Sequence, residues 1–296
     1  WNQGYKLAGA CGIEIANCKI IRDYGRINGE RLLRTRLVAG HIGDGDSNGD
    51  GVAVVQALCV GRNGHLPGAI SSSSIHHLHV DGAPHLVDPT RLVASTRRTF
   101  GEAHDRLWGE VLPIPADRIR AWRPGEKGPL PWLRAVATPG HTAHHVSYVD
   151  ETTGTLVAGD VLGIRLHEDA PLHPATPPPG VDLEAWDASL TELAAIGPER
   201  AVWSHFGVHD DVQARLTEYR DLVMQLARRV AAAVAGGPDA VDEDATRFET
   251  ESRDRLRPHY GDGVDPYFDA FSARTDYAGM RRFIEKNPGW SPPEPV

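Results

Sequence analysis

Between residues 133 and 160 the chain runs LRAVATPGHT, then HVSYV, a turn at DETTG, and TLVAGD. Apolar runs of four or five residues, bounded by Gly-containing turns and rich in Val, have the length and composition of strands rather than of packed helices. Leu133 to Ala137 and Thr155 to Ala158 are therefore predicted strands, and the stretch demands a sheet. The same pattern begins near residue 111 with VLPIP and RIRAW and returns at Ala201-Val202-Trp203. Between these strands lie HPATPPPGVD, a proline-stiffened loop, and LEAWDASLTELAAIG, which places Leu183, Trp186, Leu190 and Leu193 at helical spacing with Gly197 as its stop. Upstream, APHLVDPTRLVASTRR from Ala83 to Arg98 reads as a helix with Pro near its start, continuing from Phe100 to Trp108. Everything after Asp210 is helical in pattern. Strands with interspersed helices, then helices alone, give an α/β class with no internal repeat.

Three polar residues follow predicted strands directly: His141 in TPGHT, Asp160 in AGDVL and His205 in WSHFG. A strand end fixes each Cα while the following loop frees the side chain, so strand ends at one sheet edge are where a rigid scaffold presents functional groups. Imidazole nitrogen suits zinc and similar ions, and a carboxylate can bridge two cations about 3.5–4 Å apart. Each residue alone is ordinary turn chemistry; their joint occurrence points to a metal.

Composition narrows the partners. The 31 Lys and Arg against 40 Asp and Glu leave a net charge of −9, which speaks against a nucleic-acid or anionic-membrane binder and for a small-molecule substrate. No apolar run reaches the roughly 18 residues of a membrane span. Cys11, Cys18 and Cys59 form neither a disulfide framework nor a CxxC pair, so a reducing cytoplasm is the expectation. Asp44, Asp46, Asn48 and Gly49 match the first half of an EF-hand loop, but its closing position holds Val55 in place of Glu, and a Gly/Asp loop is the better reading.

TPGHTAHHVSYVDETTGTLVAGD, followed 45 residues after Asp160 by SHFG, resembles the second half of a metallo-β-lactamase-fold hydrolase. The GHT turn, the strand ending in GD and the late strand ending in His look like the third, fourth and fifth metal-binding motifs of that family, in order. The resemblance implies an αββα sandwich over residues 1–210, with residues 1–75 divergent, and a helical C-terminal extension over 211–296. It implies that His141 binds a first metal, Asp160 bridges both, and His205 binds the second. The cofactor implied is zinc or a similar divalent cation, one or two per chain.

The family's first motif, HxHxDH, does not occur. The nearest match runs from His77 through His79 to Asp81, with Gly82 where the last His belongs. Two registers follow. In one, His77 and His79 join His141 at the first metal and Asp81 orients the attacking hydroxide or accepts a proton. In the other, His79 merely ends a strand, and the motif falls near VAVVQALCVGRNGHLPGA, which offers only Cys59 and His65. The function implied is metal-dependent hydrolysis of an ester, thioester, lactone or amide-type small substrate; the alternative is an impaired member of the fold that serves as a binding module. A nuclease of this fold is disfavoured by the acidic balance. Of the remaining histidines, His144 and His145 are expected to be exposed strand residues, one of them able to orient a ligand. His173, in the proline-stiffened loop, is a lesser candidate for lining a substrate pocket, and His209 is expected to lie at the surface or behind the ligands. Tyr148 is expected to pack on the sheet.

Overall fold

The structure, a computed structural model, describes residues 33–38, 57–61, 75–105, 111–123, 125–126, 132–165, 170–203, 208–261 and 264–291. The described strands form two sheets. In the first, β1 (Leu33–Val38), β2 (Ala57–Gly61), β3 (Ile75–His79) and β4 (Ile119–Trp122) lie in that order, with β3 and β4 parallel. In the second, β5 (Leu133–Ala137), β6 (Val146–Asp150), β7 (Thr155–Gly159), β8 (Arg200–Trp203) and β9 (Val208–His209) are likewise in chain order. The predicted strands at 133–137, 155–158 and 201–203 are all present. The β6–β7 hairpin closes because Asp150 Oδ1 accepts from the Thr152 N–H at 2.9 Å and the Thr152 hydroxyl at 2.6 Å, fixing the turn at DETTG.

β7 and β8 are parallel, so the chain between them must cross over the sheet. It does so through α3 (Leu183–Ile196), which starts where the Asp182 side chain accepts from the Ala185 N–H and ends at left-handed Gly197, as the sequence predicts. The helix expected from Ala83 to Arg98 is instead two, α1 (Ala83–Val87) and α2 (Thr90–Phe100). Pro89 forces Asp88 out of the helical region, to φ −130°, and the Asp88 carboxylate then caps Thr90. The helix does not run unbroken past Phe100: Gly101 ends α2 and a 3₁₀ turn, Gly101–Ala103, follows it; residues 104–105 are helical again, and 106–108 lie outside the described residues. VLPIP, expected as a strand, is irregular; Pro113 and Pro115 lack ladder donors, and Ile114 N–H bonds the Leu86 carbonyl.

The remaining helices are α4 (Val212–Gly236), α5 (Pro238–Tyr260), α6 (Val264–Ala270) and α7 (Ala273–Lys286). They share one apolar cluster with the second sheet: Leu156 of β7, Trp203 of β8, Leu193 of α3, Val230 of α4 and Met280 of α7 all belong to it. On the opposite face, Trp122 of the first sheet packs edge-on against Tyr148 of β6. Tyr148 thus packs on the sheet as expected. Every residue of β6 is buried because both its faces are covered. Among the described residues no helix is long and apolar enough to cross a membrane.

A buried carboxylate ties α4, α5 and α7 together. Asp244 accepts from Arg229 Nε at 3.0 and 3.1 Å and from the Tyr277 hydroxyl at 3.0 Å, and Arg247 also reaches it. Burial alone pushes its carboxyl up, but the hydrogen bonds from Arg229 and Tyr277 outweigh that and hold it below its ordinary 3.8. A carboxylate with a depressed folded pKa contributes stability that is complete above its unfolded pKa and is lost as pH falls through the folded value. Asp244→Asn is therefore expected to cost about 2 kcal/mol at pH 7 and to flatten the acid side of the stability curve below pH 4, read from urea midpoints across pH.

Candidate metal centre

The TPGHT turn is held from three sides. Thr138 N–H bonds the His145 carbonyl, Asp182 N–H bonds the Gly140 carbonyl, and the Ser189 hydroxyl of α3 bonds the Pro139 carbonyl at 2.7 Å. Gly140 has φ 141°, and a Cβ there would lie 2.4 Å from Trp186 Cβ, so only glycine lets the turn settle on α3. The Trp186 indole in turn donates to the Val161 carbonyl at 2.9 Å and packs edge-on against the His141 ring. One side chain thereby references both His141 and the short turn that begins at Asp160.

His141 Nδ1 lies 2.7 Å from the Ala175 carbonyl oxygen. A carbonyl only accepts, so Nδ1 carries the proton, and in the neutral ring Nε2 carries the lone pair. That lone pair faces Asp160 Oδ2 at 3.5 Å, with both side chains buried. Two electron-rich atoms sealed from water and aimed at each other suit a cation between them. Their separation fits too: a tetrahedral ion with bonds near 2.1 Å spans a ligand-to-ligand edge of about 3.4 Å. A metal-binding His that donates its other N–H to a backbone carbonyl is the usual arrangement for such ligands.

Behind the pair runs a chain of hydrogen bonds whose direction is fixed at both ends. The Asp160 backbone N–H donates to His145 Nε2 at 3.0 Å, so His145 Nδ1 bears the proton and donates to Thr138 Oγ1 at 2.7 Å. Thr138 passes its proton toward Ser147 Oγ at 3.0 Å, and Ser147 donates to the Ala158 carbonyl at 2.8 Å. His145 is buried, and that burial lowers its pKa to about 3, so the ring stays neutral as this chain requires. The expectation that His145 is exposed is thus corrected. The signal in the sequence is weak but visible: a His four residues after His141, with Thr138 and Ser147 flanking the same turn.

The other predicted residues fall as follows. His79 ends β3, accepts the Asp81 N–H on Nδ1 at 3.2 Å, and meets the rings of Trp122 and His144. With Nδ1 accepting, the neutral ring carries its proton on Nε2, so in this arrangement its lone pair goes to Asp81 rather than toward a cation. Asp81 itself is exposed, with Oδ2 3.6 Å from the same ring nitrogen. His77 pairs in β3 with Leu58 and Arg120, and its side chain lies outside the described residues. His205, His65 and the Asp44–Gly49 loop also lie outside them. Among the described residues no group of three or more His, Cys, Asp or Glu forms a complete cage. His173, the lesser pocket candidate, is fully buried with Nε2 3.3 Å from Asp276 Oδ2. His209 is buried with its ring 4.2 Å from that of Trp203.

Residues 76–205 match the family model described as Metallo-beta-lactamase superfamily. No curated protein matches the chain. Among solved structures, it is similar to a metallo-beta-lactamase superfamily protein from Sulfolobus tokodaii at 20% identity and TM-score 0.43, covering 50% of this chain and 57% of that one. It is also similar to a metallo-beta-lactamase family protein from Thermus thermophilus at 21% identity and TM-score 0.47, covering 71% and 66%. A beta-lactamase domain protein from Burkholderia ambifaria matches at 14% identity and TM-score 0.43, covering 85% and 86%. The chain thus spans less than two thirds of the length of the first two.

Replacing His145 by Ala strands the Asp160 N–H in a dry site and opens a cavity, an expected loss of about 3 kcal/mol in urea unfolding. Ser147→Ala, at the far end of the chain, is expected to cost about 1 kcal/mol. Equal costs for the two would contradict the directional chain.

Proposed function

Because residues 76–205 match the model of the metallo-beta-lactamase superfamily, we propose that this protein is a metal-dependent hydrolase of an ester, thioester, lactone or amide-type small molecule. The observation that carries the proposal is the His141–Asp160 pair, whose facing atoms are 3.5 Å apart, buried and tautomer-fixed. The mixed imidazole and carboxylate donor set suits zinc and comparable divalent ions, one or two per chain. His205, which follows the strand that ends at Trp203, is the proposed further ligand. When bound, such an ion lowers the pKa of water to about 7 and polarises the oxygen under attack.

The chain's own residues supply the rest. Ala175 O holds His141 in the tautomer that presents Nε2. The neutral His145 ring holds the Asp160 backbone, and so the start of its side chain, without adding a positive charge beside the cation. Trp186 packs edge-on against the His141 ring on the α3 side and holds the Val161 carbonyl, next to Asp160. A small, uncharged or anionic-leaving-group substrate is the class consistent with an acidic chain that lacks a basic stripe.

The test is elemental analysis of protein purified without chelators, alongside His141→Ala and Asp160→Asn, with hydrolysis of a panel of esters, thioesters and lactones. Between one and two metal equivalents are expected in the wild type, falling with at least 100-fold loss of hydrolysis in each variant. Absence of metal from all three proteins would overturn the hydrolase reading in favour of a binding module.

A further inference from the structure

The loop from His173 to Pro179 has the sequence HPATPPP, so its only backbone N–H groups are those of His173, Ala175 and Thr176. Such a segment cannot hold itself in place, and its position is set by whatever accepts those three donors. His173 N–H bonds the Ile164 carbonyl at 2.9 Å, four residues beyond Asp160. Ala175 N–H bonds the Tyr219 hydroxyl of α4 at 3.2 Å. Thr176 N–H bonds Asp276 Oδ1 of α7 at 2.7 Å, and the Thr176 hydroxyl returns a bond to the Asp276 carbonyl at 3.1 Å. The second Asp276 oxygen faces His173 Nε2 at 3.3 Å. One helical turn on, Gly279 lets α7 lie directly on the loop, since a Cβ there would stand 2.0 Å from the Thr176 carbonyl oxygen. Within this strap lies Ala175, whose carbonyl receives His141 Nδ1–H.

We infer that Asp276 is a positioning residue for His141: by fixing the strap, the last helix sets the Ala175 carbonyl, and through it the tautomer and aim of His141 Nε2. The helical C-terminal region is on this view a working part of the candidate centre. The inference rests on the hydrolase reading only for its consequence in metal binding. The hydrogen-bond relation between Asp276, the strap and His141 stands apart from it.

Two readouts separate the layers. In metal-free, full-length protein, side-chain ¹⁵N NMR reports the His141 tautomer; competition with a chromophoric chelator then gives zinc affinity. The wild type is expected to show a single Nδ1–H tautomer. Asp276→Ala is expected to lose it and to bind zinc 10–100-fold more weakly, the range found when partners of metal ligands are removed. Asp276→Asn still offers Oδ1 to the Thr176 N–H and is expected to restore both. Tyr277→Phe, a neighbour that serves Asp244 and not the strap, is expected to change neither. Should Asp276→Ala fail to fold, Tyr219→Phe removes the acceptor of Ala175 N–H and reads the same strap. An unchanged tautomer and affinity in Asp276→Ala, or in Tyr219→Phe in its place, would overturn the inference. A wild type that binds no zinc would overturn the metal reading, while the tautomer still decides the strap.

Discussion

Covering β6 on both faces is the constraint to which the rest of the structure answers. Trp122 of the first sheet closes one side, and the cluster shared by α3, α4 and α7 closes the other. A strand sealed in this way can keep polar groups at its ends only if each finds a partner inside the protein, because an unpaired buried donor costs about 1–3 kcal/mol. The chain from Asp160 N–H through His145, Thr138 and Ser147 is the solution at one end of the second sheet. The strap carrying Ala175 is the solution beside it. The His141–Asp160 pair sits where these two networks meet, and its precision is a by-product of how dry its surroundings are.

Much of the framework is legible in the sequence because it is local. Short Val-rich runs between Gly turns name β5, β7 and β8; the apolar spacing of Leu183, Trp186, Leu190 and Leu193 names α3, and Gly197 ends it. His141 and Asp160 are legible for the same reason, since each lies within four residues of a strand end. Misreadings are local too. Helical spacing across Asp88 and Pro89 hides the break, and the aliphatic run VLPIP looks like a strand until its two prolines are counted as missing donors.

What sequence reading misses is set by distance along the chain. His145 looks like any strand residue until Asp160, 15 positions later, folds back to place an N–H on its ring. His173 reads as a loop residue near a pocket, yet its partner Asp276 lies in the last helix, which no local pattern connects to it. His79 suits either register of the missing first motif from spacing alone. In the structure its Nδ1 accepts the Asp81 N–H, a contact that spacing does not reveal.

The bond between Thr176 and Asp276 spans 100 residues. On a ribosome the chain emerges from its N-terminal side, at roughly 5–20 residues per second. Both members of the His141–Asp160 pair are therefore made many seconds before the helix that braces them. Until α7 arrives, two strand ends and a proline-rich loop wait beside one another without the anchor that fixes their spacing. The timing of assembly, and not only its geometry, places completion of this centre after the synthesis of α7.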